Sequence, residues 1–442
     1  MRIKLSDHFT LARLVRFVIP SIAMMMFISV YGVVDGYFVS NFTGKTEFAA
    51  VNLIWPFPMM LGAFGFMIGT GGSALVSIRF GQGEHKRANE IFSMLVKVTI
   101  IFGAILSALG FIFTEQIAVL LGAGGDLLEP AVTYGRILFV SLVPFMLQNV
   151  FQSFLVTAEK PTFGLITTVM AGLTNIIMDY ILVGLFRYGV VGAALATALS
   201  QLVGALIPFV YFLRKNTSLL RFGPSKLDLT ALFHTCTNGS SELMTNVSLS
   251  LVNMLYNARL MAYAQENGVA AYGVIMYVNF IFVSVFIGYS IGTAPIIGYN
   301  HGAKNNKELR NVYRKSLTFN VLAGILMCIF AILLASPLAM LFTSYDTALM
   351  EMTKRGFMIY SLSFIVAGVN IYASSFFTAL GNGLVSAIIS FMRTLLFQVL
   401  AVLILPTLFG IDGIWFSVFA AELCALAVTS IFLIRNKNKY GY

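Results

Sequence analysis

The sequence predicts an all-α membrane protein: twelve transmembrane helices in two six-helix bundles, related by a pseudo-twofold axis along the membrane normal. Three observations predict it. Of 442 residues, 58% are hydrophobic and 10% are charged, and the mean hydropathy is +0.88. A soluble domain carries about 25% charged residues, so the solvent for most of this chain is lipid. Apolar runs of roughly 20 residues, the length needed to cross a bilayer, recur along the whole chain. The second half also echoes the first at a shift of 221 residues.

The first run, Leu14 to Ser40, is too long for a cleavable signal peptide and lacks a small-residue cleavage site. It is expected to remain as helix 1 at 14–40. Pro20 near its start removes a backbone hydrogen bond and predicts a bend. Helices 2 to 6 are expected at 49–78, 92–114, 131–157, 163–186 and 192–214. The longest internal loop, with Gly223, Pro224 and several charges, follows at 216–235. Helices 7 to 12 are expected at 236–262, 269–299, 315–335, 355–378, 385–408 and 413–434. The chain thus divides into an N-terminal bundle over 1–215, a cytoplasmic linker and hinge over 216–235, and a C-terminal bundle over 236–442.

The net charge of +10 is not read as a nucleic-acid surface, because the basic residues fall in short loops between apolar runs. Sorting the loops to alternate sides puts 21 Lys and Arg on the side of both termini and six on the other, with Arg393 inside a helix. That asymmetry places both termini in the cytoplasm. Membrane lipid is the expected surrounding, no nucleic-acid partner is expected, and a monomer is expected. Cys236, Cys328 and Cys424 lie far apart in apolar runs with no metal spacing, so they read as free thiols.

The internal repeat shows best where YGVVGAALATALSQLVGAL from Tyr188 meets FGIDGIWFSVFAAELCALA from Phe409. Gly189 and Gly192 fall on Gly410 and Gly413, Asn149 on Asn370, and Ala158 on Ala379. FGQG ending at Gly83 matches YNHG ending at Gly302, and a charged amphipathic stretch follows each. Six helices per copy is an even number, so both copies insert in the same orientation and the pseudo-axis runs along the membrane normal. Two equal bundles around a cleft suit an alternating-access carrier; the plainer reading is a duplicated scaffold.

A charge deep in a bilayer costs about 2.5–3.5 kcal/mol on insertion scales, so each one calls for a reason. Asp35 lies late in helix 1. Asp179 lies late in helix 5, with Asn175 four residues before it on the same helical face. Two carboxylates with an amide beside one of them can hold a monovalent cation or share a proton; the plainer reading is a structural polar network. Glu242, near the start of helix 7, fits an interfacial position as well as a substrate or coupling role. Glu422 and Arg393, in helices 12 and 11, read as a buried ion pair.

These residues together resemble the MATE (multidrug and toxic compound extrusion) family, in its DinF/MepA-like bacterial branch. The resemblance covers essentially the whole chain. It rests on two sets of six helices, on FGQGEHKRANEI after helix 2 with its echo YNHGAKNNKELR after helix 8, on NIIMDYILV in helix 5, and on Pro20 followed by Asp35 in helix 1. It implies a cation site in the N-terminal bundle: an acid in helix 1, Asn and Asp four apart in helix 5, and Thr in helix 6. Those positions are Asp35, Asn175, Asp179 and Thr197. Other branches use acids in the middle of helices 7 and 10, where this chain reads NVSLSLVNMLYN and IYSLSFIVAGVNIYASS, with none. The resemblance implies export of amphipathic, often cationic drugs across the plasma or inner membrane of a bacterial or archaeal cell, in exchange for H⁺ or Na⁺, with no other cofactor. Forty Phe, 18 Tyr and 21 Met can supply polarizable walls for such molecules, although they equally suit lipid-facing surface.

A flippase for lipid-linked oligosaccharides or lipids is the alternative. Its anionic substrates call for a basic cavity, and only Arg393 is a deep basic residue. An enzyme is disfavoured because His8, His85, His234 and His301 all sit at cytoplasmic ends without a metal pattern, and no phosphate-binding G-x-x-x-x-G-K-[ST] occurs. A channel is disfavoured by the lack of a filter signature.

Overall fold

The computed structural model describes residues 3–343 and 346–442; Arg2, one of the charges counted above, lies outside them. Among the described residues, nine helices are long and apolar enough to cross a membrane. They include α1 (Leu11–Phe42), α2 (Thr46–Gly81), α3 (His85–Ile112), α5 (Pro161–Leu185) and α6 (Gly189–Leu213). Two more spans are bent pairs: α4 (Gly125–Val140 with Leu142–Thr157, bent by 51°) and α10 (Thr347–Ser361 with Phe364–Ala379, bent by 49°). The run Leu229–Gly302 holds 74 residues, about 110 Å of helix at 1.5 Å per residue. That is more than three bilayer cores of about 30 Å, and it breaks at Gln265, whose φ is 52°. It is therefore two spans, α7 (229–264) and α8 (266–302). The set closes with α9 (Asn306–Met340), α11 (Gly383–Phe409) and α12 (Ile411–Tyr440). The total is twelve, as expected, and both termini share one side.

The two halves repeat down to their irregularities. Both fourth spans are bent, and both fifth spans contain a π-helical turn, at Asp179–Leu185 in α5 and Met392–Leu396 in α11. The helix ends that share a side with the termini close by the same six-residue hydrogen bond: Glu84 N to Arg79 O and Asn305 N to Asn300 O, then Lys160 N to Leu155 O and Asn382 N to Phe377 O. This closure needs one residue in the left-handed region, and Gly83, Lys304, Glu159 and Gly381 take it, with φ between 55° and 81°. The aligned Gly189 and Gly410 both have positive φ, 53° and 59°.

One expectation needs correction. Helix 7 begins at Leu229 rather than 236, because Asp228 caps it by accepting from Thr230 N and Ala231 N. The segment before it docks on α3: Phe222 stacks on Phe92 at 5.1 Å, Gly223 N donates to Ser93 Oγ, and Arg221 N donates to Asn89 Oδ1. A polar, Gly-Pro composition signalled a loop but not this docking. At Pro20, α1 continues as an unbroken helix.

Contacts between the halves rise from the terminus-bearing side. Gly71 of α2 packs on Thr235 and Gly239 of α7, Gly81 on Tyr299 of α8, and Gly302 on Ile78. Gly288 and Gly292 of α8 pack on Ile22 and Val18 of α1, and Ser29 Oγ donates to Phe280 O. Small residues at helix crossings let backbones approach closely, the usual means of association in lipid. Beyond Ser29, each half closes on its own core, around Tyr134 and Val183 in the first and Tyr256 and Trp415 in the second. Leu120, Leu333 and Ile434 are exposed, as a lipid-facing surface requires.

Candidate cation site in the N-terminal bundle

The site is assembled by the junction of α5 and α6. At the end of α5 the helix widens into a π turn beginning at Asp179, and Tyr188 N closes it onto Leu182 O at 2.9 Å. Such π turns are frequent at functional sites. Helix α6 then starts at Gly189, whose positive φ suits glycine. Glu47 of α2 holds this start: its Oε2 accepts from Val190 N at 3.1 Å. Gly192 lets α6 lie directly on the Leu182 carbonyl, 3.0 Å from where a Cβ would stand. Thr197 then lies about two turns along α6.

Three of the four expected residues, Asp35, Asn175 and Asp179, meet directly, and Tyr134 links the fourth, Thr197, to them. Asn175 Nδ2 donates to Asp35 Oδ1 at 3.3 Å across α5 and α1. The Asp35 and Asp179 carboxylates adjoin. Asp179 is fully buried, and Asn175 and Thr197 are buried as well, while Asp35 is half-buried. A fifth residue joins them: Tyr134 of α4, 2% exposed, whose hydroxyl interacts with Thr197 and lies within reach of the charges of Asp35 and Asp179. Neither oxygen of Asp179 has a hydrogen-bond donor among the described residues, and Asn175 Oδ1 is also unpartnered. Buried carboxylate oxygens are normally satisfied. Two acids, an amide oxygen and two hydroxyls suit a hard monovalent cation or a proton, with charge rather than geometry as the attraction.

The C-terminal bundle arranges its charges differently. Arg393 Nε donates to Glu422 Oε1 at 2.8 Å, and Asn370 Nδ2 donates to Glu422 Oε2 at 2.7 Å. The ion pair read from the sequence is therefore present, and it neutralises the one deep basic residue. Glu242 does not lie at a helix end: it sits more than three turns into α7, half-buried, and acts electrostatically on Arg393 without touching it. The earlier start of α7 is the reason.

A sequence model of the MatE family matches residues 20–181 and again 243–403, one copy in each half. The chain belongs to the MatE family. Membership puts it among transporters rather than enzymes. Among curated relatives of this MatE protein, Multidrug export protein MepA of Staphylococcus haemolyticus is 26% identical over 431 residues, covering 96% of this chain and 94% of that one. MepA of Staphylococcus aureus (strain MRSA252) is 25% identical over 432 residues, with the same coverage. Among solved structures, a MATE protein in complex with MaL6 has a TM-score of 0.93 at 22% identity, covering 99% of this chain and 98% of that chain. The likeness to that structure establishes the fold.

Proposed function

We propose that this MatE protein exports amphipathic, often cationic drugs by exchange with H⁺ or Na⁺, the coupling ion binding among Asp35, Asn175, Asp179, Thr197 and Tyr134. The observation that carries the reading is the buried Asp179 carboxylate beside Asp35, with neither oxygen given a hydrogen-bond donor among the described residues. Adjoining carboxylates in a low-dielectric wall repel each other unless a proton or cation lies between them. Loading the ion therefore draws α1 and α5 together, and unloading lets them separate. The MepA relatives, named as multidrug exporters, support the cargo. The neutralised Arg393 disfavours the flippase alternative, whose anionic substrate needs an unpaired basic cavity.

In the proposed cycle the state open to the outside binds the ion, and this releases drug. Reorientation toward the cytoplasm discharges the ion and readmits drug. The structure is joined on the terminus-bearing side, which the Lys and Arg bias assigns to the cytoplasm. The test is dye efflux from a sensitised strain, with Asp179→Asn beside the parent and the pH and Na⁺ gradients varied in turn. Efflux is expected to fall to background at equal membrane expression. Full efflux by the variant would remove Asp179 from the mechanism, and the gradient that drives the parent identifies the ion.

A further inference from the structure

The segment preceding α1 is tied to both halves of the molecule. Leu5 and Phe9 are both 0% exposed. They are packed into an apolar core that joins the two halves, which contains Phe17 and Val156 of the first half and Ile297, Leu309 and Phe376 of the second. Polar bonds fix the segment at both ends. Toward the first half, Leu5 N donates to Glu159 Oε1, in the α4–α5 loop, at 2.8 Å. Toward the second half, Glu308 at the start of α9 uses both carboxylate oxygens: Oε1 accepts from Phe9 N at 2.9 Å, and Oε2 bonds His8 Nδ1 at 2.7 Å. The Phe9 carbonyl accepts from Lys315 Nζ at 2.6 Å and from Asn311 Nδ2 at 3.0 Å.

We propose that residues 3–9 form a latch, which ties the cytoplasmic ends of the two bundles together and releases Glu308 when the carrier opens inward. The inference rests on the exchange cycle proposed above but adds a part that the coupling site does not use. A helix–helix interface of glycines and apolar side chains has little directional preference. A short turn-containing segment bonded to two carboxylates, one amide and one ammonium is bistable: it is either seated with all its bonds or free in water. Pulling α9 away from α1 breaks the Glu308, Asn311 and Lys315 bonds together and exposes Leu5 and Phe9. The latch therefore weights the cycle toward the cytoplasm-closed state and gives ion and drug an opposing load.

The experiment uses the full chain in nanodiscs, with Cys236, Cys328 and Cys424 replaced by Ser and spin labels at Lys86→Cys, in the first turn of α3, and Lys304→Cys, in the α8–α9 loop, exposed positions of the two halves. Distances are measured with and without tetraphenylphosphonium, at two pH values and two Na⁺ concentrations. Glu308→Gln removes the charge from three hydrogen bonds and is expected to raise the ratio of long to short cytoplasmic distances about tenfold. His8→Ala, which removes a side chain that is 67% exposed, is expected to shift the ratio in the same direction by less, and it serves if Glu308→Gln does not fold. If the parent shows two populations and the folded variants leave their ratio unchanged, the latch is wrong while the exchange cycle stands. If parent and variants share one distance under every condition, the cycle itself fails, and the latch with it.

Discussion

Arg393 carries a full positive charge into the C-terminal bundle, and Glu422 is its salt-bridge partner, with side-chain exposures of 15% and 5%. Deleting one member of such a pair leaves the other buried and uncompensated, at a cost of about 3–5 kcal/mol, whereas replacing both by uncharged groups is often neutral. Arg393→Met is accordingly expected to lower the thermal midpoint in detergent by several degrees, and Arg393→Met with Glu422→Gln to restore most of it. A double variant as unstable as the single one would mean that the charges do more than balance each other. The acids of the N-terminal bundle are legible in the sequence for the same reason that this pair is: charge in an apolar run is costly and so conspicuous. Tyr134 is not legible. One tyrosine among 18 in a hydrophobic chain carries no pattern, and only the approach of α4 to α6 shows that its hydroxyl meets Thr197.

At the scale of the elements, α1 carries both Pro20 and Asp35, and its outer part is tied to α5 by the Asn175–Asp35 hydrogen bond. Pro20 lacks the N–H that would bond the carbonyl one turn earlier, so α1 bends there more cheaply than elsewhere. The helix is unbroken in the present state, and bending belongs to another step of the proposed cycle. Pro20→Ala restores the missing bond and stiffens α1. It is expected to reduce efflux several-fold at unchanged expression, and efflux equal to the parent's would show that α1 need not flex. The count of twelve spans was legible from apolar length and loop charge. The helix ends were less so: α7 starts seven residues earlier than expected because an Asp cap fixes its first turn at Leu229 and the chain before it docks on α3, features that hydropathy does not register. The left-handed turns that repeat between halves include Glu159 and Lys304, residue types that give no hint of such a backbone.

At the scale of the whole molecule, duplication sets the problem that any exchange cycle must solve. Each half holds its own outer core and its own polar centre, so each can move as a body, and what joins them is a seam on the side of the termini. Along that seam, Gly71 and Gly239 lie backbone to backbone. A methyl group on Gly239 would overlap the Met67 carbonyl, which, unlike a flexible side chain, cannot swing away. The halves would have to separate to admit it. Gly239→Ala is thus expected to favour the cytoplasm-open arrangement without disturbing Asp35 or Asp179. Ser77 offers a reporter, because it is fully buried in the same seam against Gly298. In a background lacking the three native cysteines, Ser77→Cys is expected to react with a water-soluble maleimide at least several-fold faster when Gly239→Ala is present. Equal labelling rates in a folded protein would mean that the seam absorbs the methyl group locally, and the two bundles would then not behave as rigid bodies hinged at this contact.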